Sequence, residues 1–234
     1  MKKLIRLLLS PLIFFDYLRF NENNDKRFFL SFSDFYPQIK DKTIKTRFDS
    51  HYIYHTSWAA RKVRKINPQK HVDISSSLFF SGIVSAFIPI DFYDYRPADL
   101  KLSNLTGQHA DLTRLQFSDN SIDSLSCMHT IEHVGLGRYG DPIDPGGDLK
   151  AISELIRVLK IGGSLLFVVP VGQPKIEFNA HRIYSYEQIA EYFKGLEMKE
   201  FTLITDKAEY IENADKDLVK EQKYGCGCFW FVKK

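Results

Sequence analysis

His129 to Gly147 reads "HTIEHVGLGRYGDPIDPGG", and the context of this stretch decides the fold. Its first five residues spell H-x-x-E-H, a pattern in which two histidines one helical turn apart grip zinc in some peptidases. On a helix, His129 and His133 would share a face about 6 Å apart. On an extended strand the same four steps separate them by about 13 Å, too far for one ion. The residues before them, "SIDSLSCMH" (121–129), are small and β-favouring and have the spacing of a strand. Those after them, "VGLGRYGDPIDPGG", hold too much Gly and Pro to continue a long helix. A peptidase would also need a third ligand, and no downstream motif announces one. The stretch reads as a strand-to-loop junction, and the peptidase reading is set aside.

Working outward, strand and helix signals alternate from His71 onward. The strand candidates are 70–74, 88–93, 121–129, 164–170, 200–205 and 228–233. Between them, 77–87 is short and apolar, and 148–160 ("DLKAISELIRVLK") places Leu149, Ile152, Leu155, Ile156 and Leu159 on one stripe. Asp148 is the expected N-cap of that helix and Gly162-Gly163 its end. A further helix, 185–196, has Ser185 as its cap. Residues 21–70 are polar, with one short helix around "SWAARKVRKI" that stops before Pro68. This alternation predicts an α/β, Rossmann-like open sheet, mostly parallel, with an antiparallel last strand and helices on both faces. Residues 1–69 form an N-terminal extension or lid, and residues 70–234 the main domain.

The composition is that of a soluble globular chain of 234 residues, 44% hydrophobic and 26% charged. Its net charge of +3 hides an asymmetry: residues 1–70 carry 15 Lys/Arg against 6 Asp/Glu, and the remainder 17 against 23. A basic front end suits either an anionic surface or a solvated charged face. In "MKKLIRLLLSPLIFFDYLRF" the uncharged run Leu7–Phe15 is too short for a span, which takes about 20 residues. No small-residue cleavage site follows it. An interfacial helix at 1–20 with peripheral membrane contact, or a helix docked on its own domain, both fit. Cys127, Cys226 and Cys228 make no disulfide framework and point to a reducing, cytoplasmic setting. Zinc at Cys226/Cys228 has no second ligand pair at usable spacing, and no metal ligand set is expected.

Ligands of open α/β sheets sit at the carboxyl ends of the strands. Asp73 ends the first strand, Asp94 follows the second and Asp111 lies 17 residues further on. A carboxylate about 20 residues past the first loop can accept two ribose hydroxyl protons at once, which makes Asp94 the candidate. At these residues the chain resembles a known family. "DLTRLQFSDNSIDSLSCMHTIEHV" followed by "AISELIRVLKIGGSLLFVVP" is similar to the core of class I S-adenosylmethionine-dependent methyltransferases, across roughly residues 70–205. "DSHYIYHTSWAAR", "HVDISSS", "EHVGLGRYGDPIDPGG", "FNAHRIYS" and "GCGCFWFVK" further resemble a bacterial family of uncharacterised methyltransferase-like proteins.

The resemblance implies S-adenosylmethionine as cofactor. It would place Asp73 and Ser75 to Ser77 (with Ser76) beside the methionine part, Asp94 at the ribose, Asp111 with Leu112 at the adenine, and His129 beside the methyl group. One departure stands out: the first loop reads "DISSSLFFSG" where the family has Gly-x-Gly, so Cβ atoms crowd a turn built for glycine.

Methyl transfer to oxygen requires alignment of donor and acceptor and removal of the acceptor's proton. His133 and His129 are the candidate bases, with Glu132 able to orient an imidazole or join a divalent metal site. The bland alternative is that Glu132 and His133 only pin the junction. Arg138 and Tyr139 could grip a phosphate or sugar and Asp141 could accept hydroxyls, or all three could belong to a structural loop. His181 and Arg182 match the family's His-Arg step and are expected at the same mouth. His51, His55 and Trp58 form either a substrate cap or the core of a lid, the second being the commoner outcome. The combined reading is an S-adenosylmethionine-dependent methyltransferase acting on a small acceptor such as a sugar or cell-surface glycan precursor. A non-catalytic binding protein of the same fold is the rival. Nucleic acid is disfavoured, because the catalytic portion is net negative and no basic stripe with interleaved aromatics borders the pocket.

Overall fold

The computed structural model describes residues 11–39 and 41–234, which form two compact units, Met1–Phe48 and Asp49–Lys234. In the first unit, helix α1 (Pro11–Glu22) brings Phe14 and Tyr17 against Phe32 and Phe35, with ring centroids 5.5 to 6.3 Å apart. Leu12, Phe15 and Phe20 stay exposed. Half of the interfacial helix expected at 1–20, residues 1–10, lies outside the described residues. No helix among the described residues is long and apolar enough to cross a membrane.

The second unit begins with α2 (Ser50–Ile66), whose N-cap Asp49 accepts a hydrogen bond from the Tyr52 amide. This helix starts about two turns before "SWAARKVRKI" and belongs to the main unit, not to an extension ending at residue 69. Its buried face carries Trp58, Ala59 and Val63. Trp58 Nε1 donates to Glu200 Oε1 at 3.0 Å, and Lys62 pairs with Glu200 Oε2 at 2.6 Å. These polar contacts fix where α2 sits on the sheet.

The remaining elements alternate as expected. They are β1 (His71–Ile74), α3 (Leu78–Val84), β2 (Ile90–Asp94), β3 (Leu105–His109), β4 (Ile122–Met128), α4 (Gly147–Val158), β5 (Leu159–Val171), β6 (Lys175–Glu177), β7 (His181–Ile183), α5 (Tyr186–Tyr192), β8 (Leu196–Ile204), β9 (Tyr210–Glu212) and β10 (Gly225–Lys233). One sheet of eight strands has the order β3-β2-β1-β4-β5-β10-β8-β9, and β6 pairs β7 separately. The first five positions are parallel, while β10 runs antiparallel to both β5 and β8. Side chains alternate along β5: Leu165, Phe167 and Val169 join one apolar cluster, Leu166 and Val168 another. The first cluster holds Ile152 and Leu155 of α4 and Ile189 of α5, the second Trp58 and Val63 of α2 and Phe80 of α3. Helices therefore cover both faces, as the near-continuous hydrophobicity of a two-sided buried strand requires.

Three details differ from the sequence reading. Strands β3, β6, β7 and β9 were not anticipated; β3 is an edge strand with only Leu105 buried and shows no apolar alternation, and the other three are three residues long. Helix α4 ends at Val158, and Gly162-Gly163 lie inside β5, where the register against β4 shifts. Gly163 is needed there because a Cβ would meet the Lys160 carbonyl oxygen at 2.8 Å. Asp148 is not the cap of α4 but lies in its first turn, buried, accepting from Tyr184 Oη at 3.0 Å. Ser185 does cap α5, in a reciprocal pairing with Gln188.

Candidate functional site

Where β1, β2, β3 and β4 end, their following loops enclose a cavity of about 730 Å³, within the range of small-ligand sites. One wall comes from three successive strand ends. Ser75, Ser76 and Ser77 follow β1, Asp94 to Arg96 follow β2, and Ala110 to Thr113 follow β3. Ser75 sits at φ 57°, in the left-handed region that glycine adopts freely and an L residue enters at a cost of about 1–2 kcal/mol. Its amide donates to the Tyr93 carbonyl at 2.6 Å, and its carbonyl accepts from Thr130 Oγ1 at 2.8 Å, so the turn is held from both sides. The "SSS" loop thus keeps the backbone shape that glycine would take. Ser76 Oγ accepts from the Met128 amide, while the Ser77 hydroxyl makes no cap bond to α3.

Asp94 and Asp111 both line the cavity. Each organises its own turn, Asp94 by accepting from the Arg96 amide at 2.7 Å and Asp111 by accepting from Thr113 at 2.8 and 2.7 Å. Leu112 lies beside them, buried. Asp73 does not line the cavity. It lies fully buried behind the serine loop, accepting from Ser81 Oγ at 2.6 Å and from Ser126 Oγ. Ser126 in turn accepts from His71 Nε2, and Ser124 donates to His71 Nδ1. Burial raises Asp73 to about 6, against the lowering effect of its serine hydrogen bonds, and lowers His71 to about 3. Asp73 supports the loop from within the sheet and is not positioned to touch a ligand in the cavity.

The opposite wall is assembled from distant segments. β4 ends at Met128, His129 takes φ 55°, and Ile131–His133 form one 3₁₀ turn. The H-x-x-E-H motif is therefore neither helical nor extended throughout, and its two histidines meet the same carboxylate. His129 Nδ1 donates to Glu132 Oε1 at 2.8 Å, and His133 Nε2 lies 3.8 Å from that oxygen. His129 Nε2 lies 3.4 Å from Cys226 Sγ, so both its nitrogens are engaged, and against the lowering effect of burial Cys226 and Glu132 hold this imidazole up at about 10. His133 Nδ1 lies 2.6 Å from the Ala180 carbonyl oxygen, a separation that requires its proton to lie between them. Its Nε2 then carries the lone pair. Burial lowers His133 from its ordinary value, outweighing the opposing influence of Glu132, so the imidazole is neutral near pH 7.

The mouth loop is rigid for a definite reason. Gly135 has φ 79°, and a Cβ there would meet the Asp144 carbonyl oxygen at 2.0 Å. Asp141, expected to accept substrate hydroxyls, instead accepts from the amides of Gly135, Gly137 and Tyr139 at 2.8 to 3.3 Å. Its carboxylate organises the loop, although it borders the cavity. Arg138 donates to the Ala180 carbonyl and lies over the Tyr139 ring, and Arg96 also lies over that ring at 4.7 Å.

His181 and Arg182 fall outside the cavity wall. Arg182 is buried, donating to the carbonyls of Val134 and Pro145 and facing Asp148 at 3.5 Å. It ties both ends of the mouth loop to β7. The His181 ring packs at a tilt against Tyr224, 4.8 Å between centroids, and Tyr224 does line the cavity. Of the cap candidates, only His51 reaches the wall; His55 and Trp58 are core. Burial, then neighbouring His129, lowers His51 to about 4. Arg96, Tyr52 and Tyr224 were missed by the sequence reading, since nothing in their local spacing announces that they converge.

A family model described as "Caenorhabditis protein of unknown function, DUF268" matches residues 98–225, more than half of the chain. The chain belongs to the DUF268 family. This DUF268 protein is also 37% identical, over 73 residues, to the ubiquinone/menaquinone biosynthesis C-methyltransferase UbiE of Bdellovibrio bacteriovorus. That match takes in 31% of this chain and 26% of the relative, so only about a quarter of the curated protein's length is represented. Among solved structures, a proposed sarcosine dimethylglycine methyltransferase of Galdieria sulphuraria aligns with a TM-score of 0.56 at 16% identity, covering 78% of this chain and 86% of that one. The [4+2]-cyclase SpnF aligns with a TM-score of 0.53 at 15% identity, covering 76% and 79%. The fold of this DUF268 member is that of class I S-adenosylmethionine-dependent methyltransferases, with the serine loop, Asp94 and Asp111 at three consecutive strand ends of the sheet.

Proposed function

We propose that this protein is an S-adenosylmethionine-dependent methyltransferase acting on a small polar acceptor. The observation that carries the reading is the division of one cavity into a carboxylate-and-serine wall and a wall bearing a neutral imidazole. The first wall suits the cofactor: Asp94 would hold ribose hydroxyls, Asp111 and Leu112 would border the adenine, and Ser75 to Ser77 would meet the amino-acid end. S-adenosylmethionine would supply an electrophilic methyl group on a sulfonium. His133 is the base in this reading, because its Nδ1 proton is committed to Ala180 and its Nε2 can accept the acceptor's proton. Glu132, 3.8 Å from that nitrogen, would favour the imidazolium that results. His129, engaged at both nitrogens, is better suited to position Glu132 than to act as the base.

Calorimetric titration with S-adenosylmethionine and S-adenosylhomocysteine tests the cofactor. Micromolar binding is expected, weakened about 100-fold in Asp94→Ala through loss of charge-assisted hydrogen bonds to ribose. Failure of the folded protein to bind either ligand would overturn the reading in favour of a non-catalytic binding role. For the acceptor we favour a sugar or glycan precursor, on the strength of the Arg96, Arg138 and Tyr139 cluster at the mouth. Cells lacking the protein should then lack one methylated sugar; unchanged glycan composition would count against it.

A further inference from the structure

His51 at the start of α2, His129 after β4 and Cys226 in β10 come from three separate parts of the chain. Each offers one donor atom, and these atoms lie within 4.8 Å of one another. We propose that His51, His129 and Cys226 form a binding site for a divalent cation of the zinc class, with the fourth coordination position open to the cavity. This inference stands apart from the methyl-transfer reading and survives its failure.

The geometry of each donor points the same way. His129 Nδ1–H donates a hydrogen bond to Glu132, which leaves Nε2, once deprotonated, as the ligand nitrogen. A carboxylate behind an imidazole is the usual means by which proteins orient a metal-binding histidine. Cys226 Sγ stands 3.4 Å from that Nε2. On a tetrahedral ion with bonds of about 2.3 Å to sulfur and about 2.05 Å to nitrogen, the two ligands would be about 3.6 Å apart. The pair already sits close to that spacing. The His51 ring is stacked between His129 and Tyr224, with centroids 5.5 and 5.2 Å away, which restricts its rotation.

Two further observations concern residues beside the triad. Glu132 is 1% exposed, yet its Oε2 has no hydrogen-bond partner, and the buried His55 Nε2 has none either. Unpartnered polar atoms at such depth are costly unless something nearby compensates them. A divalent ion would do so. Its binding expels the Cys226 thiol proton to solvent, and the thiolate together with the Glu132 carboxylate then balances the two positive charges. Two imidazoles and a thiolate favour zinc or cobalt over magnesium or calcium, which take oxygen ligands. His51 and His129 both line the cavity, so the fourth position would accept water or an oxygen or sulfur atom of a bound molecule.

The test is metal loading of the full chain after treatment with a chelator, by equilibrium dialysis against zinc or cobalt. One metal per chain is expected, and the cobalt form should show thiolate-to-cobalt charge-transfer absorption together with four-coordinate visible bands. Cys226→Ser should abolish the charge-transfer band, and His51→Ala, at a partly open position, should weaken binding at least 100-fold. Glu132→Gln should retain binding at about 10- to 100-fold lower affinity, and Cys228→Ala should leave stoichiometry and spectrum unchanged. Circular dichroism shows whether each variant is folded. A folded wild-type chain that retains no metal would overturn the proposal. So would a charge-transfer band that persists in Cys226→Ser or vanishes in Cys228→Ala.

Discussion

The two walls of the cavity are built in different ways. The wall of Ser75, Asp94 and Asp111 rests on three successive strand ends; each carboxylate there is held by an amide two residues away, and only the serine turn reaches across the sheet, to Tyr93 and Thr130. The wall of His129, His133 and the mouth loop depends on residues 42 to 97 positions distant: Ala180, Arg182 and Cys226. A locally held wall tolerates the loss of one contact. A wall tied across the fold should depend on a few single residues, and substitutions can show whether this holds.

The largest effect is expected at Arg182. Its guanidinium ties Val134 and Pro145 and neutralises the buried Asp148. Arg182→Ala should cost about 3–5 kcal/mol in urea denaturation, since it strands a buried carboxylate and two carbonyls. A loss below about 1 kcal/mol would mean that the mouth loop is held locally after all.

Next is the pH response of Asp73, beneath the other wall. Its value is raised in the folded protein, from 3.8 to about 6, so this group favours the fold most when protonated. Its contribution is full below about pH 4, declines as pH rises to about 6 and is flat above that. A two-unit shift corresponds to about 3 kcal/mol. Asp73→Asn should therefore gain stability relative to wild type by about 2–3 kcal/mol between pH 4 and pH 7. His71, lowered to about 3, acts in the opposite sense as pH falls below 6.5 and is common to both proteins. Parallel stability curves for the two proteins would remove Asp73 from the pH response.

The smallest effect is expected at Ser75. Ser75→Gly relieves about 1–2 kcal/mol of left-handed strain but loses the Ser75 Oγ to Tyr93 carbonyl bond and adds chain entropy, each worth about 1 kcal/mol. The net change in melting free energy should be within about 1 kcal/mol of zero. A loss above about 2 kcal/mol would show that the serine hydroxyl, not the backbone shape, holds this turn.

Much of the first wall was legible in the sequence because its signals are local. The spacing of Asp94 and Asp111 follows from neighbours along the chain, and in the opposite wall so do the strand texture of 121–129 and the turn-rich tail after it. The Ser185 cap was readable for the same reason. Strand β3 was not, because an edge strand with one buried residue lacks the alternation that identifies strands. Arg182 was read as a mouth residue, yet its carbonyl partners 37 and 48 positions away turn it into a tie for the loop.

The sequence by itself determined the alternating elements, the parallel sheet with its antiparallel β10 and the placement of carboxylates at strand ends. These depend on hydrophobic period and short-range turn chemistry, which are properties of contiguous residues. Only the tertiary structure decided that Asp73 lies behind the loop, that His133 keeps a free Nε2 and that His51, His129 and Cys226 converge. Those outcomes depend on which distant backbone and side-chain atoms the packed sheet brings within hydrogen-bonding reach, and no local spacing encodes that.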